Sequence, residues 1–317
     1  FLNNVNVNFM KMGKRSIYVF IVGAVIAIGF LSTRGLSSGI DFTGGRNYVI
    51  EFEQRGVTPE QVQKAVAEKV NAKDPNAVRL STNYRIADDD ENIDQEVERF
   101  IFDALHDAKL IKADYSTFID RDNHTGGSII SAQKVGPTVA ADMTRGAIVA
   151  VLLSLVAIFV YILIRFRNVA FSVGSVVALV FDTLLVIGVY SICWGWIGFS
   201  LEVDQTFIGA ILTVIGYSIN DKVVVFDRMR ENLGLHPTMK PFDLFNMSLN
   251  STLTRTVMTS LTTLLVLLCI FILGGDSIRS FSFAMILGVI FGTLSSIFLA
   301  APIAYRTLSR KQQGEKA

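Results

Sequence analysis

Four ionisable side chains lie inside stretches of the sequence that are otherwise apolar: Asp182, Asp221, Lys222 and Arg255. A charge in the hydrocarbon of a bilayer is costly, so an ionisable residue there is a candidate for ion binding or transfer. Burial and a neighbouring cation shift the proton affinity of a carboxylate in opposite senses. A helix movement that alters this balance would make an aspartate take up or release a proton. These positions therefore predict an ion or proton relay.

Asp221 and Arg255 form the centre of this prediction. Asp221 stands five residues before Phe226, which places it about 7 Å from the end of its apolar stretch. Arg255 lies a few residues into the next apolar stretch from the same side, so the two side chains are expected to share a depth and to pair. The alternative is a static ion pair that only fixes helix packing, but such a pair rarely compensates its own desolvation.

The other polar residues of these stretches are expected to play secondary roles. Asp182 is predicted nearer the middle of the bilayer, and Lys222 is predicted to extend its ammonium group to the interface. Supporting polar groups are predicted at Asn220, Thr254 and Thr256. The histidines and cysteines have no metal-like or disulfide-like spacing, and the sequence has no phosphate-binding glycine loop. We therefore expect no bound metal or cofactor, no nucleic-acid partner and no enzyme activity.

The elements that hold these residues are predicted membrane spans. The chain is 51% hydrophobic and 18% charged, against roughly 25% charged residues in soluble domains. A bilayer core of about 30 Å needs about 20 helical residues. We therefore expect a polytopic α-helical membrane protein with six transmembrane helices, at residues 16–33, 146–164, 168–191, 205–226, 253–273 and 280–305.

The clusters of basic residues that flank the predicted spans all fall on one side, as at Lys14, Arg165 and Arg228, whereas the opposite loops carry acidic residues and the single Arg279. This asymmetry predicts that both termini are cytoplasmic and that residues 34–145 are outside. The cytoplasmic segments are then residues 1–15, 227–252 and 306–317. Within 227–252, the residues after Pro241 show apolar side chains at helical spacing, which predicts a short interfacial helix along the membrane.

The segment 34–145 is predicted to form a small α+β domain. It carries 14 Lys or Arg and 19 Asp or Glu, which gives a net charge of −5. The rest of the chain has a net charge of +6, and the two sum to the overall +1. Tyr48, Ile50 and Phe52 alternate as in a strand. Strands are predicted at 47–53, 78–86 and 128–135, and helices from the Thr58-Pro59 start to Val70 and at 91–109. This order is typical of a split β-α-β, ferredoxin-like fold.

Glycine-rich segments connect this domain to the spans on either side. Gly39, Asp41, Gly44 and Gly45 follow the first span, and Gly136 with Pro137 precedes the second. Glycine permits unusual backbone angles and proline fixes one. The two segments are interpreted as tethers, either as simple turns or as hinges that link domain motion to the helices.

These segments together resemble the SecD/SecF family of protein-export membrane proteins, and in detail its SecF members. Gly39-Ile40-Asp41-Phe42-Thr43-Gly44-Gly45 is similar to the family's signature, and so is Val135-Gly136-Pro137. Residues 216–232 resemble the fourth SecF helix, and residues 245–256 resemble the segment after it. The resemblance covers about residues 11–308. Lys222 departs from the pattern, which has a small polar residue there.

The resemblance implies a role in the Sec pathway as part of the resistance-nodulation-division superfamily. The implied partners are a SecD half, the SecYEG channel, a YidC-type insertase, membrane lipids and an exported unfolded polypeptide. Late steps of translocation across the bacterial inner membrane would use a gradient of H⁺ or Na⁺, with residues 34–145 in the periplasm. Asp221 and Arg255 match the family's ion-coupling residues, and Asp182 matches a further intramembrane acid. A first residue Phe1 fits the later half of a SecD–SecF fusion.

Two other functions remain open from the sequence. One is half of a small-molecule exporter of the same superfamily, although such exporters usually carry larger domains where this chain has residues 34–145. The other is a purely structural membrane scaffold, in which Asp221→Asn would retain function.

Overall fold

A computed structural model of the chain describes residues 7–53, 57, 59–66, 69–74, 77–87, 92–122, 126–197 and 199–314. Its elements fall into a helical body and an α+β domain inserted after the first long helix. In chain order they are α1 (Phe9–Arg34), α2 (Ile40–Thr43), β1 (Gly45–Glu51), α3 (Pro59–Val66), β2 (Lys69–Asp74), β3 (Ala77–Thr82), α4 (Asn92–Asp107), α5 (Tyr115–Ile119), β4 (Ser128–Val135), α6 (Pro137–Phe166), α7 (Val169–Cys193), α8 (Gln205–Leu235), α9 (Pro241–Leu273), α10 (Asp276–Ser295), a π-helical turn (Ser296–Ala300) and α11 (Ala301–Gly314).

Among the residues that the structure describes, the helical body contains six helices that are long and apolar enough to cross a membrane. Five are α1, α6, α7, α8 and α9, and the sixth is the continuous stretch Ile278–Arg310 through α10, the π turn and α11. Five of the predicted spans lie within one of these helices, and the span 168–191 begins at Asn168, the N-cap of α7. Most of the helices extend further than the spans because their polar flanks are helical too. The fold class predicted from the sequence is therefore confirmed.

The predicted short interfacial helix is wrong as a separate element. The helix that begins at Pro241 continues without a break to Leu273, and α8 runs on to Leu235, so only residues 236–240 connect them. Proline suits the first helical position, and the side chains of Ser248 and Asn250 bond to carbonyls four residues earlier without interrupting the helix.

Helices α8 and α10 form the centre of the body, where α10 packs against α7, α8 and α9. Glycines permit this close approach. A Cβ placed on Gly292 would lie 2.6 Å from Ser218 Oγ, and one placed on Gly288 would overlap the side chain of Val214. In contrast, α6 buries very little of its surface within the chain.

The inserted domain has a four-stranded sheet in the order β2-β3-β1-β4, in which all neighbouring strands are antiparallel. Tyr48 lies opposite Leu80 on one side and Ala132 on the other. The buried core of the domain includes Ile50 of β1 and Ile101 of α4. The predicted strands and helices occur in the predicted order of a split β-α-β arrangement, with β2 and α5 as additional elements.

The strand β2 corrects one prediction in this domain. The helix expected to reach Val70 ends at Val66, and Val70 pairs instead with Leu80 of β3. An apolar residue at position 70 fits the helical spacing from Val62 as well as the alternation of a strand, so the sequence pattern did not separate the two. The predicted helix starts at Thr58 and Glu91 lie outside the described residues.

The domain rests against the body through both tethers and the turn before α8. Gly39 N donates to Val203 O at 2.8 Å, and Val203 N donates to Ser37 O at 2.7 Å. Gly44 has a φ of +71°, and a Cβ there would lie 3.4 Å from Pro137 Cα. The two predicted tethers therefore contact each other, and the first of them also contacts the turn before α8.

Candidate intramembrane ion site

Asp182 and Lys222 form a fully buried ion pair between α7 and α8. Lys222 Nζ lies 2.9 Å from Asp182 Oδ2, and the two side chains are 0% and 1% exposed. The same carboxylate oxygen accepts hydrogen bonds from Ser218 Oγ at 2.7 Å and from Ser295 Oγ at 2.8 Å. Three helices thus meet at a single carboxylate oxygen in the interior of the body.

The predicted position of Lys222 at the interface is therefore wrong. Its ammonium group also donates to Ser295 Oγ at 3.0 Å and to Ser218 Oγ. Lysine extends to the interface when water lies within reach of its side chain, but here a carboxylate and two hydroxyls inside the bundle satisfy the charge. The lysine and its partner serine are four residues apart on α8, so they share one helix face.

Asp221 is buried on a different face of the same helix. Its carboxylate accepts a hydrogen bond from Thr293 Oγ1 of α10 at 3.4 Å. Thr293 Oγ1 lies 2.6 Å from Ser260 Oγ of α9, so hydroxyls from two helices surround the carboxylate. Thr293 Oγ1 also donates to Val289 O at 2.7 Å, which leaves its single proton shared between two acceptors.

Arg255 lines a cavity of about 810 Å³ between the ends of α6, α8 and α9. The cavity also touches Val224, which is three residues, or about 4.5 Å of helix rise, from Asp221. Among the described residues, no ion pair joins Arg255 to Asp221, so the predicted direct pair is absent from this structure. Arg255 and Val224 are the lining residues furthest along α9 and α8 from the connection 236–240, so Arg255 lies at the end of the cavity nearer Asp221.

The predicted supporting residues divide into two groups. Thr256 is buried, and its hydroxyl has no hydrogen-bond partner among the described residues. Thr254 is half-buried, whereas Asn220 is exposed on the outside of the helix and does not reach the cluster. Helical periodicity explains the difference, because Asn220 precedes Asp221 by one residue and lies about 100° away around the helix axis.

The cluster includes residues that the sequence did not single out. These are Thr293 and Ser295 of α10, whose hydroxyls lie beside those of Ser260 and Ser218 respectively. A usable signal was present, because Thr293, Ser295 and Ser296 form a polar run inside an apolar span. The π-helical turn then begins at Ser296, and such turns are frequently found at functional sites.

The tether residues lie far along the chain from this cluster and make their own contacts. Asp41 Oδ2 accepts a hydrogen bond from Gln205 N, the first residue of α8, at 2.9 Å. Asp204 caps the same helix end by accepting from Phe207 N at 2.8 Å. Gly136 precedes α6 as its N-cap, with Pro137 at the first position. Among the described residues, no group of histidine, cysteine and acidic side chains is arranged to hold a metal ion.

Two family models match the chain. Residues 118–310 match the model described as protein export membrane protein SecD/SecF, C-terminal, and residues 29–54 match the SecD/SecF GG motif. The second match includes the glycine tether at Gly44 and Gly45. Together the two matches cover both tethers and, of the helices described, all the apolar ones except most of α1.

Curated relatives and solved structures agree with these matches. The protein translocase subunit SecF of Rhodothermus marinus is 41% identical over 97% of this chain and 95% of its own length. The SecF subunit of Haemophilus influenzae is 33% identical over 96% of this chain and 87% of its own length. The crystal structure of SecDF, a translocon-associated membrane protein from Thermus thermophilus, superposes with a TM-score of 0.80 and 31% identity over 98% of this chain.

The chain spans only 40% of the length of that SecDF structure. Its relatives are bacterial protein translocase subunits, which have a transport role, and its own six apolar helices make it a multi-pass membrane protein. The chain therefore belongs to the SecD/SecF family of protein-export membrane proteins, as a SecF-type member within the resistance-nodulation-division superfamily.

Proposed function

We propose that this chain works with a SecD half to couple an ion gradient to a late step of protein export. The transported ion passes by Asp221, with Arg255 in the cavity that leads towards it and Asp182 as a further intramembrane acid. One observation carries the proposal: Asp221 is buried without an ion-pair partner among the described residues, its carboxylate accepts a hydrogen bond from a hydroxyl, and the cavity lined by Arg255 extends to Val224, three residues away.

The surroundings of Asp221 suit a carboxyl group that gains and loses a proton. Thr293 Oγ1 can donate its proton to the ionised carboxylate or to Val289 O. When it donates to Val289 O, its lone pair is free to accept a hydrogen bond from the O–H of neutral Asp221. A hydroxyl thus serves both protonation states without a change of side-chain position. A charged partner in permanent contact would favour only the ionised state.

The proposed orientation places both ends of the described chain in the cytoplasm and residues 34–145 in the periplasm. Arg165, Arg228 and Arg230 all line the cavity that contains Arg255, so the basic end of the body is also the end where this cavity lies. The positive-inside rule assigns that end to the cytoplasm. The periplasmic domain would then stand on the side to which exported polypeptide emerges.

The proposed partners follow from surfaces that the chain leaves uncovered. Apolar residues such as Tyr18 and Val22 of α1 and Leu152 and Leu153 of α6 are more than half exposed. Lipid can cover such faces, but half-transporters of this kind complete their ion path with a second set of helices. We assign part of this surface to the SecD half, and we expect SecYEG, and a YidC-type insertase beside it, to deliver the unfolded polypeptide.

The deciding experiment measures translocation in proteoliposomes that contain SecYEG, the SecD half and this chain. A preprotein is halted after its ATP-driven start, an ion gradient is imposed, and protected product is quantified. Asp221→Asn and Arg255→Ala are expected to reduce gradient-stimulated completion to the level without a gradient. Runs with an H⁺ or a Na⁺ gradient alone identify the ion.

The matched control is Asp243→Asn, which neutralises an exposed aspartate in the first turn of α9. This variant should complete translocation as the unmodified chain does. Full gradient-stimulated activity in Asp221→Asn would contradict the proposal and favour a structural scaffold. Failure of this chain to co-purify with a SecD half would contradict the proposed partnership.

A further inference from the structure

Four oxygen atoms surround the ammonium group of Lys222 inside the body. They are Asp182 Oδ2 at 2.9 Å, Ser295 Oγ at 3.0 Å, Ser218 O at 3.5 Å and Ser218 Oγ, and we call them the oxygen cage. They come from α7, α8 and α10. One carboxylate, one carbonyl and two hydroxyls form a ligand set of the kind that hard cations prefer.

The cage is buried away from water, and a further carboxylate oxygen beside it is available as a ligand. Asp182, Ser218, Lys222 and Ser295 are each no more than 1% exposed. Asp182 Oδ1 is buried as well and has no hydrogen-bond partner among the described residues. A buried carboxylate oxygen without a partner is costly, and it is the type of atom that a cation bound in the cage would use.

The chain itself supplies the cation that occupies this cage. We infer that the Lys222 ammonium is a tethered substitute for an alkali-metal ion, and that its presence keeps Na⁺ and K⁺ away from Asp182. The cage would bind such an ion if the ammonium were removed. This inference deepens the proposed function and, where it concerns transport, rests on it. Its consequence for transport is that the ion coupled by this chain does not bind at Asp182 as Na⁺.

Charge balance explains why the Lys222 ammonium and an alkali-metal ion exclude each other from the cage. Asp182 carries the only negative charge in the cage, and it neutralises one cation. A metal ion added beside Lys222 would bury a second positive charge within a few ångströms of the first, with no water to screen it. Asp221, the adjacent carboxylate on α8, contacts Thr293 rather than the cage, so it does not supply the missing charge there.

Gly292 of α10 faces Ser218 of α8 and limits the size of the cage there. A Cβ at this position would lie 2.6 Å from Ser218 Oγ and 2.9 Å from Ser218 Cβ, so glycine lets α10 approach α8 closely enough for Ser295 to reach Asp182. Close packing of three helices holds the oxygens in place when the occupant changes. Removal of the lysine side chain is therefore expected to leave a preformed site.

The test compares Na⁺ binding by the full chain, in complex with its SecD half, before and after Lys222→Ala. Binding of ²²Na⁺ is measured at equilibrium in detergent, and thermal unfolding is measured in NaCl, KCl and choline chloride at equal ionic strength. The unmodified chain should show no Na⁺ or K⁺ binding that depends on Asp182. Lys222→Ala should bind about one alkali-metal ion per chain and should unfold at a higher temperature in that salt than in choline chloride, because ligand that binds only the folded state stabilises it.

The double variant Asp182→Asn/Lys222→Ala is the matched control and should lose both the binding and the salt-specific shift. If Lys222→Ala folds only when Na⁺ or K⁺ is present, the inference is supported. If it fails to fold in every salt, or folds and binds no more ion than the unmodified chain, the inference is overturned. Asp182-dependent Na⁺ binding by the unmodified chain would also overturn it. These outcomes are independent of translocation, so they leave the proposed role of Asp221 to its own experiment.

Discussion

At the scale of single residues, the two intramembrane aspartates differ in the groups that stabilise their negative charge. Asp182 neutralises a buried ammonium and accepts two hydroxyl hydrogen bonds. Asp221 forms no ion pair among the described residues and accepts a hydrogen bond from Thr293 Oγ1 at 3.4 Å. Sequence reasoning identified both residues because charge in an apolar stretch is conspicuous. It paired Asp221 with Arg255 and placed Lys222 at the interface, because side-chain direction around a helix depends on packing that the sequence alone leaves open.

This difference predicts opposite effects on stability. Asp182→Asn leaves the Lys222 charge buried and unpaired, which typically costs about 3–5 kcal/mol. Asp221→Asn removes a charge that forms no ion pair among the described residues, so the free energy of unfolding should change by less than about 1 kcal/mol. Thermal unfolding of the two purified variants in the same detergent measures the contrast.

The control for this prediction removes both charges of the pair. Asp182→Asn/Lys222→Met should recover most of the stability lost in Asp182→Asn, because replacing a whole buried pair by uncharged side chains is often neutral or stabilising. Equal stability of Asp182→Asn and Asp221→Asn would show that the buried pair does not form.

A second residue-scale prediction concerns Asp94 in the inserted domain. Partial burial opposes its ionisation, but hydrogen bonds from Arg46 at 2.8 Å and Lys134 at 3.2 Å hold the pKa of Asp94 below its usual value. Because the folded-state pKa is depressed, this contribution to stability is present above the unfolded-state pKa and is lost as the pH falls through the folded-state pKa. Asp94 is 44% exposed, so the contribution should be below about 1 kcal/mol.

The measurement is amide hydrogen exchange of β1 in the full chain as the pH is lowered, corrected for the intrinsic pH dependence of exchange. Protection should fall in the acidic range in the unmodified chain and should vary less in Asp94→Asn. The control is Asp122→Asn, an exposed aspartate of the same domain. An identical acid profile in Asp94→Asn and the unmodified chain would refute this assignment.

At the scale of elements, the sequence predicted the helices and strands whose apolar residues recur at a clear helical or strand spacing. The long spans and the strands at 47–53 and 128–135 were found because their apolar periods are clear. Strand β2 was missed because Val70 fits two periods at once, and α5 was missed because five residues give too short a pattern. The continuity of α9 from Pro241 was also missed, since a span ends where hydropathy falls, whereas a helix ends where its backbone hydrogen bonds end.

The contact between α8 and α10 gives the element-scale prediction. Gly292→Ala would place a Cβ 2.6 Å from Ser218 Oγ, so the helices must separate or the serine must move. Overpacking of this kind typically costs about 1–3 kcal/mol. Displacement of Ser218 should also weaken the Asp182–Lys222 cluster. Thermal unfolding in detergent measures the cost.

Gly216→Ala is the matched control on the same helix pair. A Cβ at Gly216 meets no atom within 4 Å, and alanine stabilises a helix relative to glycine by about 1 kcal/mol. This variant should therefore be as stable as the unmodified chain or more so. Equal unfolding temperatures for Gly292→Ala and Gly216→Ala would contradict the close packing of α10 on α8.

At the scale of the whole molecule, the inserted domain and the helical body meet at the turn before α8. Asp41 bonds to Gln205 N, Ser38 pairs with Val203, and Arg79 lies 4.0 Å from Glu202. The sequence predicted the two tethers from their glycines and proline. The sequence did not predict the third contact, with residues 201–205, because these residues are distant in the chain from the domain and carry no recognisable motif. Helix α8 carries both this contact at its first residue and the Asp221 cluster further along.

A rigid helix of this kind can transmit movement of the domain to Asp221, provided that the contact with Asp41 holds. Asp41→Ala removes the acceptor for Gln205 N, and a hydrogen bond to a charged group contributes about 1.5–3 kcal/mol. Amide exchange at Gln205 and the neighbouring residues should therefore quicken by about tenfold or more, while unfolding of the spans is unchanged. Gradient-stimulated translocation should fall in the same variant if the domain and helix move together. Asp142→Asn, an exposed aspartate of α6, should alter neither quantity, and faster exchange with undiminished translocation would show that this contact is structural only.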